Sequence, residues 1–182
     1  GSGAVTLNAA ADLIFDQQIV IDGATTIMAG ALNIQNDITT LSGALSLFSG
    51  GTISFNPDIT ITAADTLSLK SVSTGAGNLN LKGGTGINLE ADITVNGLTT
   101  IDSGTGVLKI DTNLVAAGNS SIDITANDLD LKGTIDSAGG ITTISDAGNS
   151  INLGSNEAGR LSIDNAEFLL ISGAGLTLST AK

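Results

Sequence analysis

The sequence predicts an all-β fold, a right-handed parallel β-helix (three-sided β-solenoid) of about eight to nine rungs with about 20 residues in each. Three observations carry that reading. The chain restarts one pattern every 19 to 24 residues, the apolar letters inside each restart alternate with polar ones, and the apolar content is aliphatic. Ile and Leu supply most of it, while 182 residues contain four Phe and no Trp or Tyr. A core of such slim side chains suits stacked strands better than packed helices.

The restarts fall at Ile19, Ile38, Ile59, Leu79, Leu98, Ile122, Ile141 and Leu161. Each unit holds a second apolar-x-apolar triplet: LNI at Leu32, LSL at Leu45 and Leu67, INL at Ile87 and Ile151, LKI at Leu108, LDL at Leu129 and LLI at Leu169. A third run is clear as ISF at Ile53, ITV at Ile93 and LTL at Leu176, and none is visible in the unit from Ile141. In the first unit TTI at Thr25 precedes LNI, so the side taken by each run stays open there. Alternation over three or four residues gives a strand with one buried and one wet face. Helices are excluded because Gly, Asn, Asp and Ser interrupt every short run. One such coil cannot bury its apolar face alone, so each stacks on the next. Eight units and a partial one over residues 5–15 make a rod about 40 Å long at about 4.8 Å per rung. Handedness follows the general rule for parallel crossovers.

The turns agree with the strands. Asp12, Asp37, Asp58, Asp65, Asp92 and Asp128 each stand just before a strand pattern, where an Asp side chain bonds nearby backbone N–H groups and tolerates left-handed geometry. The single proline, Pro57, falls in such a turn and removes no ladder hydrogen bond. Residues 1–3 read as a cloning scar, and residues 4–182 as one solenoid segment cut from a longer repeat protein.

Six Lys and Arg against eighteen Asp and Glu give a net charge of -12. Nucleic acid and anionic membrane surfaces are therefore not expected partners, since both need clustered cations. With 41% hydrophobic residues and a mean hydropathy of +0.35, the chain has the aliphatic content that disordered chains lack. It has no Cys for a disulfide or thiolate site, and no apolar run of transmembrane length.

No enzyme activity and no cofactor or metal are expected. The chain lacks His, its only Arg is Arg160, and the tightest cluster, Asp128, Asp130 and Lys132, reads as a wet strand face. GGTGINLE at Gly83 is a single echo of the calcium-binding nonapeptide, with Asn88 where that motif has Asp. The GTG stretches are turns, because no Lys-Ser/Thr and no helix follow. Two weak surface-binding columns remain. Thr39, Thr60, Thr99 and Thr142 are expected to face outward on the first strand in one column, an array suited to ice, interrupted by Asn80 and Asp123. Asn33, Asn88 and Asn152 are expected to line a polar groove suited to polysaccharide, or to form an amide ladder along the rod. Phe48 is placed at the surface, Phe55 in the core, and residues 111–121 in a loop of the longest unit.

The repeats ITTLSGALSL, LTTIDSGTGVLKI and ITTISDAGNSINL, with Gly/Asn turns, acidity and absent Cys, resemble the shafts of filamentous-haemagglutinin-type adhesins of two-partner secretion and of autotransporter passengers. The resemblance covers nearly the whole chain after residue 3. It implies a secreted or bacterial cell-surface rod that carries a binding tip outward, with host or matrix glycans bound through other regions. Its partners would be neighbouring rungs of the parent or end-to-end copies. Neither end shows an obvious cap in the sequence, so a self-assembling filament subunit is the alternative to a passive stalk.

Overall fold

The computed structural model describes residues 3–148, 150–154 and 160–180. The chain winds in turns of three short strands. The first four turns are β1 (Val5–Asn8), β2 (Leu13–Phe15), β3 (Ile19–Asp22); β4 (Thr25–Ala29), β5 (Leu32–Ile34), β6 (Ile38–Ser42); β7 (Leu45–Ser49), β8 (Ile53–Phe55), β9 (Ile59–Ala63); and β10 (Thr66–Leu69), β11 (Ser73–Gly75), β12 (Leu79–Gly83). The next three are β13 (Gly86–Leu89), β14 (Ile93–Val95), β15 (Thr99–Asp102); β16 (Val107–Ile110), β17 (Leu114–Ala116), β18 (Ile122–Ala126); and β19 (Asp128–Leu131), β20 (Ile135–Asp136), β21 (Ile141–Asp146). An insert then carries β22 (Ile151–Leu153), β23 (Leu161–Ile163) and the one-turn helix α1 (Asn165–Phe168), before β24 (Ile171–Ser172) and β25 (Gly175–Thr180) resume the stack.

Like strands stack in parallel into three walls. The first runs from β1 to β19 with seven strands, the second from β2 to β24 with eight, and the third from β3 to β25 with eight. The fold is thus the expected three-walled parallel β-solenoid, with about seven turns rather than eight to nine. The overcount has a local cause. The unit opening at Leu161 adds no rung, because β23 pairs with β22 in a separate two-stranded sheet; the last strand of the third wall is β25, which pairs with β21.

Alternation places aliphatic side chains inside on every wall, as in the buried-intermediate-buried pattern of β5 and β9. Stacking then sets like on like. In the first wall Ile27, Leu47, Leu69, Leu89, Ile110 and Leu131 form one inward column, and in the third Ile38, Ile61, Leu81, Ile101, Ile124 and Ile144 form another. Burial of each such side chain contributes roughly 1.5–3 kcal/mol. One continuous core therefore runs along the described rod.

Corners are fastened by hydroxyls. Thr40, Ser49, Ser103 and Ser137, all buried, each donate to the carbonyl three residues on, at Gly43, Thr52, Gly106 and Gly140, over 3.0–3.3 Å. Those bonds satisfy buried oxygens while the chain changes direction. Close stacking also demands glycine: at Gly106 a Cβ would run into the backbone carbonyl of Thr85 in the turn below. Of the six strand-preceding aspartates, Asp58 takes left-handed geometry, with φ 62°, directly after Pro57.

Candidate functional surfaces

The threonine column does not form as expected. Thr39 faces outward, but the pairing of Ile38 with Ile61 puts it beside Thr62, with Val20 on its other side. Thr60 stands in the neighbouring outward column with Asn80 and Thr100. Thr99 pairs with Leu79 and Ile122, and Thr142 with Ile122 and Leu176, so both point into the core and are 0% exposed. The cause is a one-residue slip, which turns a side chain to the other face of its strand. Leu98 and Ile141, read as inward starts, are turn or outward positions, 39% and 48% exposed. Among the described residues, the hydroxyls of Thr99 and Thr142 have no hydrogen-bond partner. The ladder holds no flat threonine array over these four positions.

The three asparagines do not meet either. Asn33 lies on the second wall in register with Ser54, and Asn88 on the first wall between Ser68 and Lys109. Asn152 belongs to the insert and pairs with Ser162. LNI at Leu32 is thus the second-wall strand of its turn, while LSL at Leu45 and Leu67 and INL at Ile87 belong to the first wall. Asn88 does form a step of a ladder, donating to Ser68 Oγ over 3.4 Å. Of residues 111–121, 114–116 form β17 of the second wall, and 117–121 make the corner that follows, with Gly118 and Asn119 both in left-handed geometry. Phe48 is exposed and Phe55 buried, as expected.

Lys70, Lys109 and Lys132 pair with carboxylates on the wet faces. Lys132 meets Asp111 at 3.1 Å and Asp130 at 3.4 Å, while Lys70 meets Glu90 at 3.4 Å. The hydrogen bond to Asp111, with Asp130 alongside, holds the Lys132 ammonium above the usual lysine value. Among the described residues no group of three or more His, Cys, Asp or Glu is placed to hold a metal, and no helix is long and apolar enough to cross a membrane.

Depressions among the described residues interrupt the walls. One, of about 160 Å³, lies at the corner by Asp58, Asn78 and Leu98. Its corner amide and carboxylate are used internally: Asn78 Nδ2 donates to Asp58 Oδ1 over 2.7 Å, and Leu98 N–H donates to Asn78 Oδ1 over 2.9 Å. Another, of about 300 Å³, lies on the second wall and is lined by Asn33, Ser54, Phe55, Asn56, Thr74, Gly75, Ala76 and Asn96. None of its lining residues is charged.

The insert closes the upper edge of the first wall. Lys132 N–H donates to Ile110 in the turn below, so the neighbouring Leu131 N–H, on the opposite side of the strand, faces the open edge. Leu131 N–H donates to Glu167 Oε1 over 3.0 Å, and Leu129 N–H to Asp128 Oδ1 over 2.9 Å. In the body of the same wall the equivalent donors meet carbonyls, as where Thr25 N–H reaches Ala44 over 2.8 Å. Two carboxylates thus stand in for the carbonyl row of an eighth strand. Glu167 is held there by a capping box: its Oε2 accepts from Asp164 N–H, and Asp164 Oδ1 accepts from Glu167 N–H and Ala166 N–H. A further rung, from any chain, would meet a first-wall edge already occupied. The insert also exposes Leu153, Phe168 and Leu169.

Sequence reasoning passed over Glu167 and Asn96. The available signals were D-x-x-E at Asp164 and the 20-residue spacings of Asn56, Ala76 and Asn96.

Comparison with protein-family models, with curated proteins and with solved structures finds no match to this chain. The walls define a β-solenoid repeat protein, and the parallel β-solenoid fold is consistent with β-helical repeats.

Proposed function

We propose that the chain is a non-catalytic structural rod, a stalk segment of a large secreted or surface-displayed bacterial adhesin or extracellular fibre. The observation that supports this most is the single core enclosed by three walls of seven, eight and eight parallel strands. Such a stack converts chain length into reach at roughly 4.8 Å per turn, and each turn needs only its neighbours. The likeness of the repeats to filamentous-haemagglutinin-type and autotransporter shafts supports the extracellular setting.

Two experiments test this reading. Leu79 is in register with Thr99, so deleting residues 79–98 removes one whole turn. A stalk tolerates that deletion, remaining β-rich and cooperative, and is destroyed by deleting residues 79–88, which breaks register; failure of the whole-turn deletion rejects modular construction. In the bacterium that makes the protein, antibodies to the chain are expected to stain unpermeabilised cells or the medium. Staining confined to permeabilised cells rejects the surface role.

A further inference from the structure

We propose that the second wall carries a binding notch for a neutral oligosaccharide, formed where Ala76 sits between Asn56 and Asn96. The ladder fixes the geometry. Phe55, Gly75 and Val95 stack in register, so the residues that follow them, Asn56, Ala76 and Asn96, stack as well. Their N–H groups donate in sequence to Ile34, Phe55 and Gly75 of the turns below. Ala76 contributes only a methyl, which leaves a gap between two longer amides two rungs, or roughly 10 Å, apart. Asn33, Ser54 and Thr74 flank the gap in the adjacent outward column.

The chemistry selects the ligand class. On a chain of net charge -12 the notch has no charged lining residue, so neither cation nor anion is favoured. Its side chains are primary amides and hydroxyls, which both donate and accept, as sugar hydroxyls do. The amides of Asn33, Asn56 and Asn96 are free of hydrogen bonds within the described residues. Several other asparagines of the rod are used internally, as where Asn36 donates to Asp16, Asn78 to Asp58 and Asn113 to Asp92. Ser54 donates to Leu32 over 3.3 Å and keeps its oxygen as an acceptor. The span matches about two sugar rings laid along the rod. The notch is independent of the stalk reading, since a rod without it still spans and a notch without a stalk still binds.

The test is an amide NMR titration of the whole chain with cellohexaose, xylohexaose, mannohexaose and chitohexaose, and with a heparin hexasaccharide as the charged control. At least one neutral oligomer is expected to shift residues 54–56, 74–76 and 94–96, with no shift from heparin. Ala76→Leu fills the gap from the solvent side, where Ala76 is exposed, and is expected to abolish the shifts while leaving the β circular dichroism unchanged. Asn56→Ala with Asn96→Ala is expected to weaken binding about tenfold. The proposal is overturned if no neutral oligomer shifts these residues at millimolar concentration, if the shifts survive Ala76→Leu, or if heparin binds there equally well.

Discussion

In the middle of the rod, Leu81 lies between Ile61 and Ile101, and every strand edge is answered by the next turn's backbone. At the insert, Leu131 has a turn below it and only the Glu167 carboxylate above. The two regions solve the same problem, an unpaired strand edge, with different materials. Repetition of the backbone needs only the right period in the sequence. A side-chain substitute needs a particular residue delivered by a particular fold, here the capping box at Asp164. The repeat therefore tolerates degenerate letters, while the insert depends on single residues.

The largest effect is expected in the middle. Leu81→Ala empties a fully buried position in the central column, and a loss of about 2–5 kcal/mol is expected. Denaturant unfolding should show it, and loss of the single transition would accompany division of the stack into two blocks.

Next comes Glu167→Ala, which leaves Leu131 N–H without its acceptor and is expected to cost about 1–3 kcal/mol. Amide exchange should accelerate at Leu131 and across the insert while Leu81 is unaffected. Glu167→Gln keeps a carbonyl oxygen there and should cost less. Equal acceleration in the middle turns would show that the insert is not a local device.

A smaller change of opposite sign is expected at Thr99. Its hydroxyl is buried without a partner among the described residues, so Thr99→Val should stabilise by about 1 kcal/mol, read as a raised midpoint at unchanged slope. The smallest effect is at Lys132, which is fully exposed. Its raised folded value means that its contribution is complete below the ordinary lysine value of 10.5 and is lost as pH rises through the folded one. Lys132→Met should leave the melting temperature at neutral pH unchanged within error, and should remove only a shallow alkaline dependence.

The same contrast explains what the sequence disclosed. Period and alternation reveal walls, because register is enforced wherever one face is buried. They did not reveal that Thr99 and Thr142 are inward, since Thr fits both faces of a strand and the TT doublets look alike in either phase. The corner between Phe55 and Ile61 is two residues longer than the one between Ile34 and Ile38 below it, which set Ile38 opposite Ile61 and moved Thr39 and Thr60 into different columns. The insert imitated the repeat: INL at Ile151 and LSI at Leu161 have wall-like letters yet pair with each other. The notch was legible only in part, because Asn33 stood out by its triplet whereas Ala76 is conspicuous only through its stacking between Asn56 and Asn96.

Hydrogen exchange resolved to single amides on the unmodified chain tests the central contrast most directly. Inward positions of the second to sixth turns, Leu47, Leu81 and Ile101 among them, should exchange together and only through global unfolding, with Leu131 and residues 161–170 opening earlier as a separate unit. Protection of the insert equal to or above that of the middle turns would contradict the account.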